Sequence, residues 1–128
     1  MPKLMFNGVE YSGGGGSAEE IFPTSKTQIG TWVEGSPIYR IVTNPNTTWG
    51  DNNNYSYEFA TIPNIKQLIR VQLIGHWSNP YFGEGVCMSC PGAYIDYGTS
   101  NVRGYKSYQF GSDFIVEYAI IDFIEKAS

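Results

Sequence analysis

Phe114-Ile115-Val116-Glu117-Tyr118-Ala119-Ile120-Ile121-Asp122-Phe123-Ile124-Glu125 is the stretch on which the fold turns. Laid out as a strand, it places Phe114, Val116, Tyr118, Ile120 and Ile124 on one face and Ile115, Ala119, Ile121 and Phe123 on the other. A strand apolar on both sides belongs in the middle of a sheet, where both faces are covered. A helix is the competing reading of so apolar a run.

Lys66 to Trp77 poses the same choice. Ile65, Leu68, Ile69 and Leu73 suit a helix, whereas Ile69, Val71 and Leu73 alternate with Leu68, Arg70 and Gln72. The β-branched Ile69, Val71 and Ile74 decide for strand. Further strands are expected over Tyr55 to Ala60, Ala93 to Tyr97 and Tyr105 to Phe110. The run from Thr27 breaks at Glu34-Gly35-Ser36-Pro37 and resumes at Ile38 to Val42, which reads as a hairpin. Asn44 to Asn54, rich in Asn and holding Trp49, reads as a loop, and Ser78 to Gly92, broken by Gly and Pro, reads as mostly loop.

Near the start, Leu4-Met5-Phe6 and Val9-Glu10-Tyr11 flank Asn7-Gly8, the pair suited to a two-residue type I′ turn. Such a hairpin is marginal alone, so Leu4, Phe6, Val9 and Tyr11 are the residues expected to anchor it on a partner. Gly13 to Gly16 follow as a flexible joint, and Pro23 leaves room only for a turn after Ser17-Ala18-Glu19-Glu20. The expected organisation is an anchoring hairpin over residues 1–12, a Gly-rich linker and turn over 13–24, and an all-β head over 25–128. Six to eight short strands after the glycines make that head a β-sandwich or jelly roll.

Composition narrows the function. The 128 residues include ten Tyr, seven Phe, three Trp and fifteen Gly, with a formal charge of -4. That balance offers no cationic face for a phosphate backbone, so nucleic acid is not an expected partner. No apolar run approaches the length of a membrane span, and none after Met1-Pro2-Lys3 reads as a secretory signal, so the chain is expected to be made in the cytoplasm without a membrane association.

Cys87-Met88-Ser89-Cys90 is the one motif with a chemical look. With His76 it supplies three ligands where tetrahedral zinc takes four, and its Gly- and Pro-rich flanks lack the helix that lowers a redox thiol's pKa. A loop carrying two reduced thiols is the expectation, with a disulfide once the chain meets an oxidising medium. His76 has no nucleophile beside it in sequence and reads as an imidazole hydrogen-bonded at a strand end. No catalytic residue, metal ligand or cofactor is expected, and the chain reads as a non-enzyme. The better signal is for binding: Trp49 with Asp51, and Trp77 with Tyr81, put flat rings beside polar groups in expected loops, the combination that stacks on a sugar face. Burial of those rings in a core or an interface is the alternative.

Thr27-Gln28-Ile29-Gly30-Thr31-Trp32-Val33-Glu34-Gly35-Ser36-Pro37-Ile38-Tyr39-Arg40 resembles the G-T-W-[hydrophobic]-[acidic]-G-x-P-[hydrophobic]-Y-R opening of small tailed-bacteriophage virion proteins of the tail-fibre, head-fibre or receptor-binding type. Asn7 to Tyr11 with its glycine run, and Val116-Glu117-Tyr118, are similar to the two ends of such proteins. The resemblance implies a virion structural protein, a fibre or capsid-decoration subunit. It further implies a homotrimer that touches other virion proteins, with host-surface carbohydrate as the ligand its loops would meet. A free lectin-like carbohydrate-binding module is the alternative. A small hydrolase is a third reading, and it requires a pocket around His76 and two acids.

Overall fold

A computed structural model describes residues 3–6, 9–12, 20–50, 55–82, 85–106 and 110–127. β1 (Lys3–Phe6) and β2 (Val9–Ser12) form a two-stranded antiparallel sheet of their own, in the register that pairs Leu4 with Tyr11 and Phe6 with Val9. The turn itself, the glycine joint and Asp51 lie outside the described residues.

The body is all β in two antiparallel sheets. The larger runs β3 (Thr27–Thr31), β4 (Pro37–Thr43), β11 (Phe114–Glu125), β7 (Ile65–Trp77), β8 (Val86–Ser89), with β5 (Thr47–Trp49) joining β11 beyond the end of β4. The smaller runs β6 (Tyr55–Thr61), β10 (Asn101–Lys106), β9 (Tyr94–Asp96). Phe59 and Val102 of the small sheet pack with Trp49, Leu73, Phe114, Val116 and Ile121 of the large one in a single core, as in a sandwich.

β11 spans the expected residues and is central, but its faces divide differently. The pairing with β7 slips between Val116 and Tyr118, so Glu117 is an extra residue. A bulge of this kind shifts the alternation by one. Phe114 and Val116 therefore share the core face with Ala119, Ile121 and Phe123, while Tyr118 is 46% exposed. β7 is irregular as well: its pairing skips Ile69 and then Lys66, so inward positions fall at Ile65, Leu68, Val71 and Leu73. Two consecutive spacings of three are the source of its helical look.

Gly75 stands opposite Val116 at the β11 bulge. A Cβ there would lie 1.9 Å from the Ile115 carbonyl oxygen, which belongs to a central strand and has no room to retreat. Gly75→Ala is expected to destabilise the chain by about 1–3 kcal/mol in chemical denaturation. A wild-type midpoint would show that the strands are not this close.

The Thr27 to Arg40 stretch builds the expected hairpin. Trp32 N donates to Ser36 O at 2.8 Å, Gly35 takes φ +102°, and the Glu34 carboxylate accepts from Ser36 N and Oγ at 3.0 and 2.6 Å. Those Ser36 donors hold the Glu34 carboxyl below its ordinary value. Residues 20–24, expected to close the linker, already lie on the body: Val42 N donates to Pro23 O, and Arg40 Nη1 to Glu20 and to Ile21 O.

Two expectations are corrected. Asn44 to Asn54 is not all loop, because Thr47–Trp49 pairs with β11 as β5, and that pairing with a distant strand overrode local turn chemistry. The strand expected to begin at Tyr105 begins at Asn101, where β10 pairs with β6 and β9, and residues 107–109 of the expected span lie outside the described residues. Ser78 to Gly92, expected to be mostly loop, holds the four-residue β8, paired with β7 from Gly75 to Gln72.

Candidate functional site

The expected ring platform is not assembled. Trp49 sits in β5 rather than on an outward loop and is 0% exposed. Its indole meets Phe59 and Phe110 edge-on, at 5.3 and 5.4 Å between centroids. Gly104 of β10 makes the space, since a Cβ there would come within 3.0 Å of Trp49, Phe59 and Cys90. A ring so enclosed cannot stack on a sugar. Trp77 is half-buried against Phe114 at 4.8 Å and Phe110 at 5.3 Å. Among the described ones of the expected ligand residues, Tyr81 is the one displayed, 93% exposed on the short 3₁₀ turn Pro80–Phe82.

A different place gathers polar groups. A cleft of about 500 Å³ is lined by Pro45 and Thr47, by Ser56 to Ala60 of β6, and by Arg103 of β10. Five successive strand residues cannot all point one way, so the cleft follows the outer edge of β6, the terminal strand of the small sheet. Edge backbone and side chains thus both face it. Arg103 Nε donates to Ser56 Oγ at 2.9 Å, and Ser56 Oγ meets the Tyr94 hydroxyl at 2.7 Å. Arg103 Nη1 lies 3.8 Å from the Glu58 carboxylate, which also accepts from Asn101 Nδ2. Asn101 Oδ1 accepts from Thr61 at 2.7 Å, and across the cleft the Thr47 and Tyr57 hydroxyls are hydrogen-bonded. This network fixes side chains that would otherwise lose rotamer freedom on binding.

Sequence alternation exposes half of that site: Ser56 and Glu58 are the polar partners of Tyr57 and Phe59. The meeting of Glu58 with Arg103 needs the β6–β10 register, which slips between Val102 and Arg103.

His76 is hydrogen-bonded as expected, Nδ1 to Glu117 Oε1 at 2.8 Å, and Glu117 is the bulged residue of β11. Among the described residues no three His, Cys, Asp or Glu side chains converge in a way that could hold a metal ion, and no helix is long and apolar enough to cross a membrane. Both cysteines are free thiols. Cys87 is exposed on β8, whereas Cys90 is buried beside Trp49 and Phe59, and burial pushes its thiol up to about 12. A maleimide at neutral pH is expected to label Cys87 in the native chain and Cys90 only on unfolding. Because the folded state keeps the Cys90 proton after the unfolded chain has lost it, stability should fall as pH rises from 9.0 toward 12. Cys90→Ala should flatten that part of the profile, and an unchanged slope would count against the burial.

Fold and site define a sandwich-like all-β domain with a polar, networked cleft along one sheet edge. Comparison of the chain with protein-family models, curated proteins and solved structures finds no match.

Proposed function

We propose that this chain is a non-enzymatic structural protein of a tailed-bacteriophage virion, a fibre or decoration subunit that projects its two-sheet body and assembles as a homotrimer. The stretch from Thr27 to Arg40 carries the reading. Its residues resemble the opening of such proteins, and their roles in this fold are architectural: a tight turn at Trp32 to Ser36 and an arginine that reaches the central strand. Exposed Phe22, Val33, Tyr97 and Tyr118 add apolar surface of the kind that neighbouring copies or other virion proteins cover. The β1–β2 hairpin, a separate small sheet, fits an anchor on the particle.

Particles assembled from a genome lacking the gene test the reading. A lost projection by electron microscopy, together with the chain's presence in digests of wild-type particles, supports it; an unchanged outline, or wild-type particles without the chain, overturns it. Light scattering of the purified full chain should give three times 14.3 kDa. The cleft beside β6 favours a second reading, the carbohydrate-binding module, and the two combine if the projected body is also the part that touches the host.

A further inference from the structure

We infer that the cleft between β6 and the Pro45–Thr47 segment is a binding site for a neutral saccharide. The inference deepens the attachment function proposed above and rests on it for its biological setting. Three features set the ligand class.

The first is charge. Among the described residues that line the cleft Arg103 is the cation, and Glu58 lies 3.8 Å from it, so the pair offers strong donors and acceptors with no net charge of its own to select a phosphate or carboxylate. A polyhydroxylated ligand, whose every hydroxyl both donates and accepts, uses both members.

The second is preorganisation. Arg103 is held by Ser56 and Glu58, Glu58 by Asn101, and the Thr47 and Tyr57 hydroxyls by each other. Little side-chain entropy remains to be lost when a sugar arrives. The edge of β6 adds backbone groups beside them.

The third is shape. About 500 Å³ suits a mono- or disaccharide rather than a peptide helix, and the cleft is open to solvent, so a chain end or branch can enter without backbone movement. Pro45 and the Tyr57 ring, itself stacked on Phe59 at 6.4 Å, supply the apolar surface that the C–H face of a pyranose needs.

The test is an amide-shift titration of the full chain with methyl glucoside, methyl galactoside, methyl mannoside and N-acetylglucosamine, with N-acetylneuraminic acid as the anionic counterpart. The expected result is saturable shifts at Ser56 to Ala60 and Arg103 with at least one neutral sugar, at a dissociation constant on the order of 1 mM. Glu58→Gln and Arg103→Gln should each weaken binding about tenfold, since each removes a charge-assisted hydrogen bond. Should either variant lose its fold, Thr47→Val removes one cleft hydroxyl at constant shape and should weaken the same sugar. Overturning results are the absence of saturable shifts with every neutral sugar, shifts centred on Tyr81 and Phe82, or tighter binding of the anionic sugar. Failure here leaves incorporation into particles untouched, while a chain missing from particles would still bind sugar, so the two readings fail separately.

Discussion

Trp49→Ala is expected to lower the unfolding free energy by about 3–5 kcal/mol, among the largest effects of any single truncation in this chain. The indole is fully enclosed where β5, the small sheet and Phe110 meet. Its removal deletes a large apolar side chain and leaves a cavity that Gly104, with no side chain of its own, cannot fill. Urea denaturation should show a lower midpoint at an unchanged slope. One detail refines the expectation. Trp49 Nε1 is buried without a hydrogen-bond partner among the described residues, a cost of about 1–3 kcal/mol already present in the native state. Trp49→Phe, which removes that donor, should therefore cost less than the lost ring volume alone suggests. A Trp49→Ala chain within about 1 kcal/mol of wild type would contradict the enclosure. Any loss of ligand binding in that variant reports unfolding and not a lost sugar contact.

Asp122→Ala should cost a similar amount, about 3–5 kcal/mol, for an electrostatic reason. Asp122 is 2% exposed on the outer face of β11, directly between Arg40 on β4 and Arg70 on β7. Its two oxygens accept from Arg40 Nε at 2.7 Å and Nη2 at 2.9 Å, and Arg70 Nε approaches to 3.7 Å. Arg40 is itself 3% exposed, with Glu20, the Ile21 carbonyl and the Phe22 ring over its guanidinium. The Asp122 hydrogen bonds raise the Arg40 pKa further, so the guanidinium stays charged. Removing the Asp122 carboxylate leaves Arg40, a buried cation, with the solvent-exposed Glu20 carboxylate as its remaining counter-charge among the described residues. Arg40→Met with Asp122→Leu removes both charges and should recover most of the loss, because a buried pair costs two desolvations while an apolar pair costs none. A double-mutant cycle measures this, and simple additivity of the two single changes would show that the pair is not coupled.

The legible part of this protein is the part with a local cause. Alternation at Phe114 to Glu125 and at Lys66 to Trp77, with β-branched side chains, announced the two longest strands. Asn7-Gly8 announced the small hairpin, and Gly35 with Pro37 the larger one, because turn geometry depends on neighbours in the chain. The cleft was half legible, since Ser56 and Glu58 stand at alternate positions but their partners Tyr94, Asn101 and Arg103 come from elsewhere in the chain.

The sequence by itself therefore determined an all-β chain, its longest strands and the turns that separate them. Tertiary structure alone decided which face each of those strands turns inward, because the bulges at Glu117, Ile69 and Lys66 exist only against a paired neighbour. It alone turned Trp49 from a loop ring into the centre of the core, since a three-residue strand has too little pattern to announce itself and gains its stability from β11. It alone brought Arg40 to Asp122, 82 positions away, where desolvation makes their geometry matter.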